Sequence, residues 1–284
     1  MELEGKTSAF DYATHLQDGV AFIDDLAERV QVVEADGRPP LVQVNDHRLI
    51  IPYQGSGDTS MVDAHPPPPG VYYVFMSRLA YGVCVGSWDK FNRNVVPRAV
   101  DRELMGVSGM DSIAVAYNKI LRSCHRLSFE MDGLILQHDD LEILDPAKAE
   151  AAILEAFDDE DVALVGVAGG DARTGLAWWN IDPIGHQLTD SMNIDFGRRT
   201  GDVALLEGSL LAFSPWAIRH LRFDEEYPGF HGYDEIAMQA QVRGKRVVVV
   251  DVDTHHHSMV GFDSVESHTQ WHKADERFRK KWGL

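Results

Sequence analysis

The chain predicts an α/β fold: a mostly parallel, doubly wound sheet flanked by helices, with a small N-terminal appendage. Three observations carry this. Fully apolar runs of strand length recur at Leu134–Leu136, Val162–Ala168 and Val247–Val250, as expected of strands buried on both faces. Between them lie segments with apolar residues at helical spacing, so strands and helices alternate. Two of the runs also lead into imidazoles and carboxylates, His138-Asp139-Asp140 and His255-His256-His257. In an open α/β sheet the C-terminal ends of the strands are where ligands bind.

In chain order, residues 1–30 space Ala21, Phe22, Leu26 and Val30 as an amphipathic helix, and Gln31–Val33 and Leu41–Ile51 read as short strands around a Gly-Pro-rich turn. Gly55–Asp63 is loop, and His65-Pro-Pro-Pro-Pro-Gly70 is a stiff break that places a boundary there. The expected division is an appendage over 1–65 and a main domain over 70–284. Val71–Met76 and Tyr81–Val85 read as strands, Ser87–Arg98 as loop, and Glu103–Val107 as a weaker strand. Ile113, Ala116, Tyr117 and Ile120 form one stripe of a helix over 112–121 that Asp111 or Ser112 can cap. Pro146 opens an alanine-rich helix to Phe157. Residues 171–200 lack a period and are long for a loop, so they are a lid or hold an irregular hairpin. Val203–Phe213 reads as a strand interrupted at Glu207-Gly208. Helices follow at 215–221 and 234–242, a buried strand at 246–252, and a helical tail at 267–282.

Composition narrows the class. The chain has 284 residues, 44% hydrophobic and 25% charged, an ordinary globular balance. With 45 acidic against 26 basic side chains the net charge is -19, which disfavours nucleic acid and anionic lipid as partners. An anionic substrate would then need a metal or a local basic cluster. The first thirty residues carry seven acids and no apolar core of signal-peptide length. No run approaches the roughly 18–20 apolar residues that span a bilayer. Cys84 and Cys124 make no framework and no Cys-x-x-Cys, as expected of two buried thiols in a reducing cytoplasm.

Carboxylates beside one imidazole suit Mn²⁺ or Mg²⁺, and several histidines suit Zn²⁺ equally well. His138, Asp139, Asp140 and Glu142, the run His255–His257, and Phe230-His231-Gly232-Tyr233-Asp234-Glu235 are the chemistry-bearing clusters. Each has a plainer explanation: solvated strand ends, a core-satisfied histidine, and a helix N-cap at Asp234. Their joint occurrence in a parallel-sheet frame favours function. The phosphate-binding G-x-x-x-x-G-K-[ST], the dinucleotide G-x-G-x-x-G, and the hydrolytic G-x-S-x-G and H-E-x-x-H patterns are all missing.

An ordered set of strings then becomes specific. Ser112-Ile-Ala-Val-Ala-Tyr-Asn118, Leu134-Ile-Leu-Gln-His-Asp-Asp-Leu-Glu-Ile143, Glu207-Gly-Ser-Leu-Leu-Ala212 and Gly229-Phe-His-Gly-Tyr-Asp234 precede Gly244-Lys-Arg-Val-Val-Val-Val-Asp251 and His256-His-Ser258. Over residues 71–282 this resembles family 2-like nucleotide-sugar glycosyltransferases of the GT-A (Rossmann-like) fold, in particular a bacterial subgroup with His-x-Asp in place of Asp-x-Asp. The resemblance implies that Asp140 and His138 hold Mn²⁺ or Mg²⁺ on the donor diphosphate, with His257 or His256 completing the shell. It implies a catalytic base at Asp234 or Glu235. It places Glu207, Gly208, His231, Tyr233, Asn118 and Asp139 along the donor and acceptor side, with Arg78 and Asp89 where the nucleotide is gripped. Two features depart from the family pattern: the metal motif lacks its first aspartate, and Tyr-Asp-Glu-Ile is one residue short of Tyr-Asp-x-Asp-Leu.

The expected activity is therefore metal-dependent transfer, with inversion, of a sugar from a nucleotide-diphosphate sugar. The acceptor (a glycan, a lipid-linked sugar or a small molecule) is not legible. Two rivals use the same residues. A metal-dependent hydrolase would turn the donor over equally fast without acceptor. A non-catalytic nucleotide-sugar-binding protein would keep its affinity after Asp140→Ala and Asp234→Ala.

Overall fold

The computed structural model describes residues 79–99, 104–110, 112–125, 131–171, 175–227, 232–257 and 265–284, and the backbone of 30–33, 41–44 and 49–52. The expected N-terminal helix, the loop over 55–63, the proline run, the strand over 71–76, Arg78, Asp111 and His231 lie outside the described residues. Strands β1 (Val30–Val33), β2 (Leu41–Val44) and β3 (Leu49–Pro52) form an antiparallel meander. They are followed by β4 (Leu79–Val85) and β5 (Leu104–Ser108), which pair in parallel. Helix α1 (Ile113–Cys124) is capped by Ser112, whose Oγ accepts from the Val115 amide at 3.2 Å.

Strand β6 (Gly133–His138) is parallel to β4 and leads through a two-residue turn into β7 (Leu141–Ile143). Helix α2 (Pro146–Phe157) is capped by Asp145 and starts with proline at its first turn. The expected strand at 162–168 divides into β8 (Val162–Gly166) and β9 (Ala168–Gly170), which join different sheets. The stretch over 171–200 holds the irregular hairpin, β10 (Ile184–Thr189) paired with β11 (Asn193–Asp195). After the short β12 (Gly201–Asp202), the interrupted strand at 203–213 becomes β13 (Leu205–Leu206) and β14 (Leu210–Phe213). Helices α3 (Pro215–His220) and α4 (Ile236–Gln241) follow, the latter entered through a 3₁₀ turn over Tyr233–Glu235. The last strands are β15 (Arg246–Val249) and β16 (Thr254–His256), and α5 (Val265–Trp282) ends the chain.

The main sheet has ten strands in the order β1-β2-β3-β5-β4-β6-β14-β8-β15-β12. At its centre β5, β4, β6, β8 and β15 point the same way, and only β14 runs against them. Alternation along each strand divides the core in two. Leu134, Leu136, Leu211, Phe213, Val247 and Val249 face α1, α3, α4 and α5, while Ile135, Leu210, Ala212 and Val248 face α2 and the turn over 88–95. Burial on both faces accounts for the unbroken apolar runs.

A second sheet, β13-β9-β10-β16-β7 with β11 on β10, is built largely from continuations of the first: β7 follows β6, β9 follows β8, and β16 follows β15. It therefore crosses the C-terminal edge of the parallel strands. One segment differs from expectation. Residues 88–95 are helical rather than loop, with Ser87 Oγ accepting from the Lys90 amide and Phe91, Asn94 and Val95 buried. Apolar residues at 91, 95 and 96 make a short helical stripe that the surrounding Asp, Asn and Arg conceal from a composition-based reading. Cys84 and Cys124 are buried thiols and form no disulfide.

Helix α1 lies directly on the sheet at Gly82, where a Cβ would stand 2.7 Å from Leu136 Cδ2 and 2.8 Å from Ile120 Cγ2. Gly82→Ala is expected to cost about 1–3 kcal/mol through overpacking, measured as a lowered denaturation midpoint with an unchanged m-value.

Candidate active site

The site forms where β6 ends and the second sheet crosses it. His138 is the last residue of β6, and Asp139 and Asp140 make the turn into β7. On β16, His255 pairs with Glu142 and His256 with Leu141. Because opposed residues share a face, His256 turns inward towards Asp140 while His255 turns to the other side with Glu142. His256 Nε2 lies 3.1 Å from Asp140 Oδ1, and His138 Nδ1 lies 3.9 Å from the same oxygen. One ligand atom from each of His138, Asp140 and His256 falls within 4.8 Å of the others. Sequence left open which of His256 and His257 stands beside Asp140. The geometry puts His256 there, and His257 Nε2 3.0 Å from Glu142 Oε2.

Protonation follows from the packing. Burial, and then the neighbouring His256, push the His138 pKa down to about 4, so its imidazole is neutral at pH 7. Burial works to raise Asp140, but the His256 hydrogen bond, His138 and Lys90 together hold it well below the usual carboxylate range. For His256, desolvation opposes the charge, yet Asp140 and Glu207 raise its pKa on balance. Lys90 donates to Asp140 Oδ2 at 2.9 Å, a bond that raises the lysine pKa. Lys90 was not foreseen, because the segment carrying it reads as loop; the helical turn is what aims it.

Tyr233 stands behind His138. Its Oη is 2.8 Å from His138 Nε2, and the ring is almost fully buried. Burial and Glu207 keep the phenol protonated, with its pKa well above 10. The ring packs so tightly on Gly208 that a Cβ there would meet it at 2.1 Å. Glu207 Oε2 accepts from the Ser209 amide at 2.9 Å, from Ser209 Oγ, and from Gln187 Nε2 at 3.4 Å.

The two candidate bases differ sharply. Glu235 is fully buried and fully engaged, accepting from Gln239 Nε2 at 2.9 Å, Lys281 Nζ at 3.2 Å and Trp282 Nε1 at 3.0 Å. It ties α4 to α5. Asp234 is partly exposed, with a buried Oδ1 that has no hydrogen-bond partner. Desolvation, reinforced by Glu207 and Glu235, pushes its pKa up to about 8.

The remaining expected residues fall at the margin. Asp139 Oδ2 accepts from the Gly86 and Ser87 amides at 2.8 and 2.6 Å and so pins the turn after β4 beside the site. Asn118 is buried on α1, bonded in both directions to the Phe223 backbone and to Glu225. Asp89 is exposed on the turn that carries Lys90.

Comparison with known proteins now decides the family. The profile of a glycosyltransferase-like family matches residues 77–282. The chain belongs to that family, and it is a glycosyltransferase. It is 30% identical over 211 residues to the streptomycin biosynthesis protein StrF of Streptomyces griseus, covering 69% of this chain and 74% of that protein. Among solved structures, A197 from STIV is similar with a TM-score of 0.42 and 14% identity over 65% of this chain and 87% of that one. GalNAc-T7 with UDP, GalNAc and Mn²⁺ gives a TM-score of 0.45 and 11% identity over 74% and 48%. The mixed α/β architecture, with sheets flanked by helices, is the one the GT-A resemblance implies. No helix among the described residues is long and apolar enough to cross a membrane.

A raised carboxyl pKa has a fixed sign in stability. With a folded value of about 8 against 3.8 in the unfolded chain, the protonated Asp234 stabilises the fold at low pH, and that contribution is lost as pH rises through 8. Asparagine mimics the protonated form. Asp234→Asn is thus expected to leave the melting temperature nearly unchanged at pH 4 and to raise it by several degrees at pH 8.5 (roughly 2–4 °C per kcal/mol), read by differential scanning calorimetry.

Proposed function

We propose that the glycosyltransferase uses a nucleotide-diphosphate sugar as donor, with a divalent cation held by Asp140, His138 and His256, and transfers the sugar with inversion to an acceptor hydroxyl activated by Asp234. The observation that carries this reading is the meeting of three metal-type ligands within 4.8 Å, joined through the His138–Tyr233 contact to the turn that carries Asp234 and its partnerless buried oxygen.

The residues fit a divalent cation. His138 is neutral at pH 7, and Asp140 is held ionised, so two of the three donors already have the protonation state that ligation requires. His256, whose pKa is raised by Asp140 and Glu207 against the effect of burial, joins them in its neutral form. Two imidazoles and one carboxylate favour Mn²⁺ over Mg²⁺, which prefers all-oxygen surroundings. A cation there supplies Lewis-acid neutralisation of the departing diphosphate.

The rest is the work of the chain's own side chains. Lys90, now on Asp140 Oδ2, is a flexible cation within reach of the same diphosphate oxygens. Asp234 takes the proton of the acceptor hydroxyl as that oxygen attacks the anomeric carbon. A base with a pKa near the working pH combines adequate basicity with a usable ionised fraction. Glu235 holds the 3₁₀ turn through Trp282 and Lys281, so its role is positioning.

Both His256 and Asp234 must be deprotonated, so activity rises with pH. The expected profile of kcat/KM in saturating Mn²⁺ climbs with at least unit slope from pH 6 and levels off near pH 8; a profile falling over that range would refute Asp234 as base. Asp234→Asn should lower kcat by roughly 10²–10⁴.

Thermal-shift panels of UDP-, GDP- and dTDP-sugars, each with and without Mn²⁺, test the donor class. A stabilisation that needs the metal and disappears in Asp140→Ala is expected. Were no nucleotide to shift the melting temperature under either condition, the donor assignment would fail.

A further inference from the structure

The pairing that turns His256 inward leaves the other two histidines of the run on the outer side of the second sheet. There they meet residues that the transfer chemistry does not use. His255 lies directly across from Glu142 in the β16–β7 pair, and His257 Nε2 is 3.0 Å from Glu142 Oε2. Glu142 Oε1 accepts from Arg98 Nε at 2.9 Å, so the carboxylate is held with its second oxygen towards the imidazole. One ligand atom each from Glu142, His255 and His257 lies within 4.8 Å of the others. The two imidazole rings lie with their centroids 3.9 Å apart.

We infer that Glu142, His255 and His257 form a second divalent-metal site, of the class that takes Zn²⁺, on the opposite side of β16 from Asp140. A His-x-His pair at the end of one strand with a carboxylate on its antiparallel neighbour supplies two imidazoles and one carboxylate converging from one side. That leaves a position open for water, and borderline divalent metals favour such a donor set. The 3.0 Å between His257 Nε2 and Glu142 Oε2 suits adjacent ligands on one ion with bonds of about 2.0–2.2 Å.

Asp190 stands where an outer partner would. Its Oδ1 lies 2.9 Å from His255 Nε2 and 3.4 Å from His257 Nδ1. Each ring can donate one N–H to it, which orients the imidazole and leaves the other nitrogen for an ion. Asp190 belongs to the turn after β10, and Leu188 and Thr189 of β10 pair with His255 and His256. An ion at this site would thereby join three neighbouring strands of the small sheet at one point.

The consequence is structural. Clamping β16 to β7 and to the 190 turn fixes the register that delivers His256 to Asp140. That consequence rests on the donor-site reading above; the binding of the ion does not.

The test is Zn²⁺ titration by calorimetry of protein stripped of metal, in an Asp140→Ala background that disables the inner site. One equivalent of Zn²⁺ is expected to remain, and to be lost in Asp140→Ala/His255→Ala/His257→Ala. Glu142→Gln, which keeps the side-chain shape, should weaken it by roughly tenfold or more. Circular dichroism establishes that each variant is folded. If Asp140→Ala protein binds no Zn²⁺, or binds it equally well after both histidines are removed, the second site does not exist. Neither result bears on the donor assignment, which is read separately from nucleotide-dependent melting shifts.

Discussion

The site depends on one antiparallel pairing, three residues long. By setting Thr254 opposite Ile143, His255 opposite Glu142 and His256 opposite Leu141, β16 delivers an imidazole to a carboxylate 116 positions earlier in the chain. The strand period of two does the rest, since a slip of one residue would exchange the two sets of histidines between the faces of the sheet. The backbone reinforces the register: the His257 amide donates to the Asp140 carbonyl at 2.7 Å, and the Leu144 amide to the Asp253 carbonyl at 3.0 Å. What reads in sequence as one run of three histidines is in three dimensions one histidine on one side and two on the other.

This explains which parts of the site were legible in advance. The apolar runs of β6, β8 and β15 announce themselves because burial on both faces leaves no alternation to confuse them. Asp140 and His138 were visible as an acid and an imidazole placed abruptly at the end of such a run, and Asp234 as an acid at the start of a helix. The choice between His256 and His257 was not visible, because β16 is a separate short strand with its own register rather than the tail of β15. Lys90 was hidden for a related reason. Its helical turn is too short to show a period, and its aim depends on packing Phe91 and Val95 beneath it. Nothing local to the sequence told Asp234 from Glu235; that distinction comes from α5, whose Lys281 and Trp282 take up one carboxylate and leave an oxygen of the other without a partner.

The electrostatics of the inner site are those of a chain with net charge -19 that gathers carboxylates where the proposed anionic donor would bind. Asp139, Asp140, Glu207 and Asp234 influence one another's ionisation or that of the residues between them. The fold manages them by different means. Asp139 is solvated by two backbone amides, Glu207 by the Ser209 amide and hydroxyl, and Asp140 by His256 and Lys90. Asp234, with a buried Oδ1 that has no hydrogen-bond partner, has its pKa pushed up to about 8 instead. Environments that push neighbouring carboxylates to opposite protonation preferences divide the labour of one site: a group held ionised is suited to ligation, and a group with a raised pKa to proton transfer.

Tyr233 links these two halves. His138 can offer Nδ1, the nitrogen nearer Asp140, as a ligand only if its proton sits on Nε2, and Nε2 faces the Tyr233 oxygen at 2.8 Å. The protonated phenol orients the ring, and it serves the tautomer that frees Nδ1 by accepting from Nε2–H. The contact exists only because Gly208 has no side chain where the tyrosine ring lies. Tyr233 is also the residue immediately before Asp234 in the 3₁₀ turn, so the element that orients the imidazole also sets the position of Asp234. The Glu207-Gly208 interruption of an otherwise apolar stretch is therefore more than a break between strands. The glycine admits the tyrosine, and the glutamate beside it helps raise the pKa of both the phenol and Asp234.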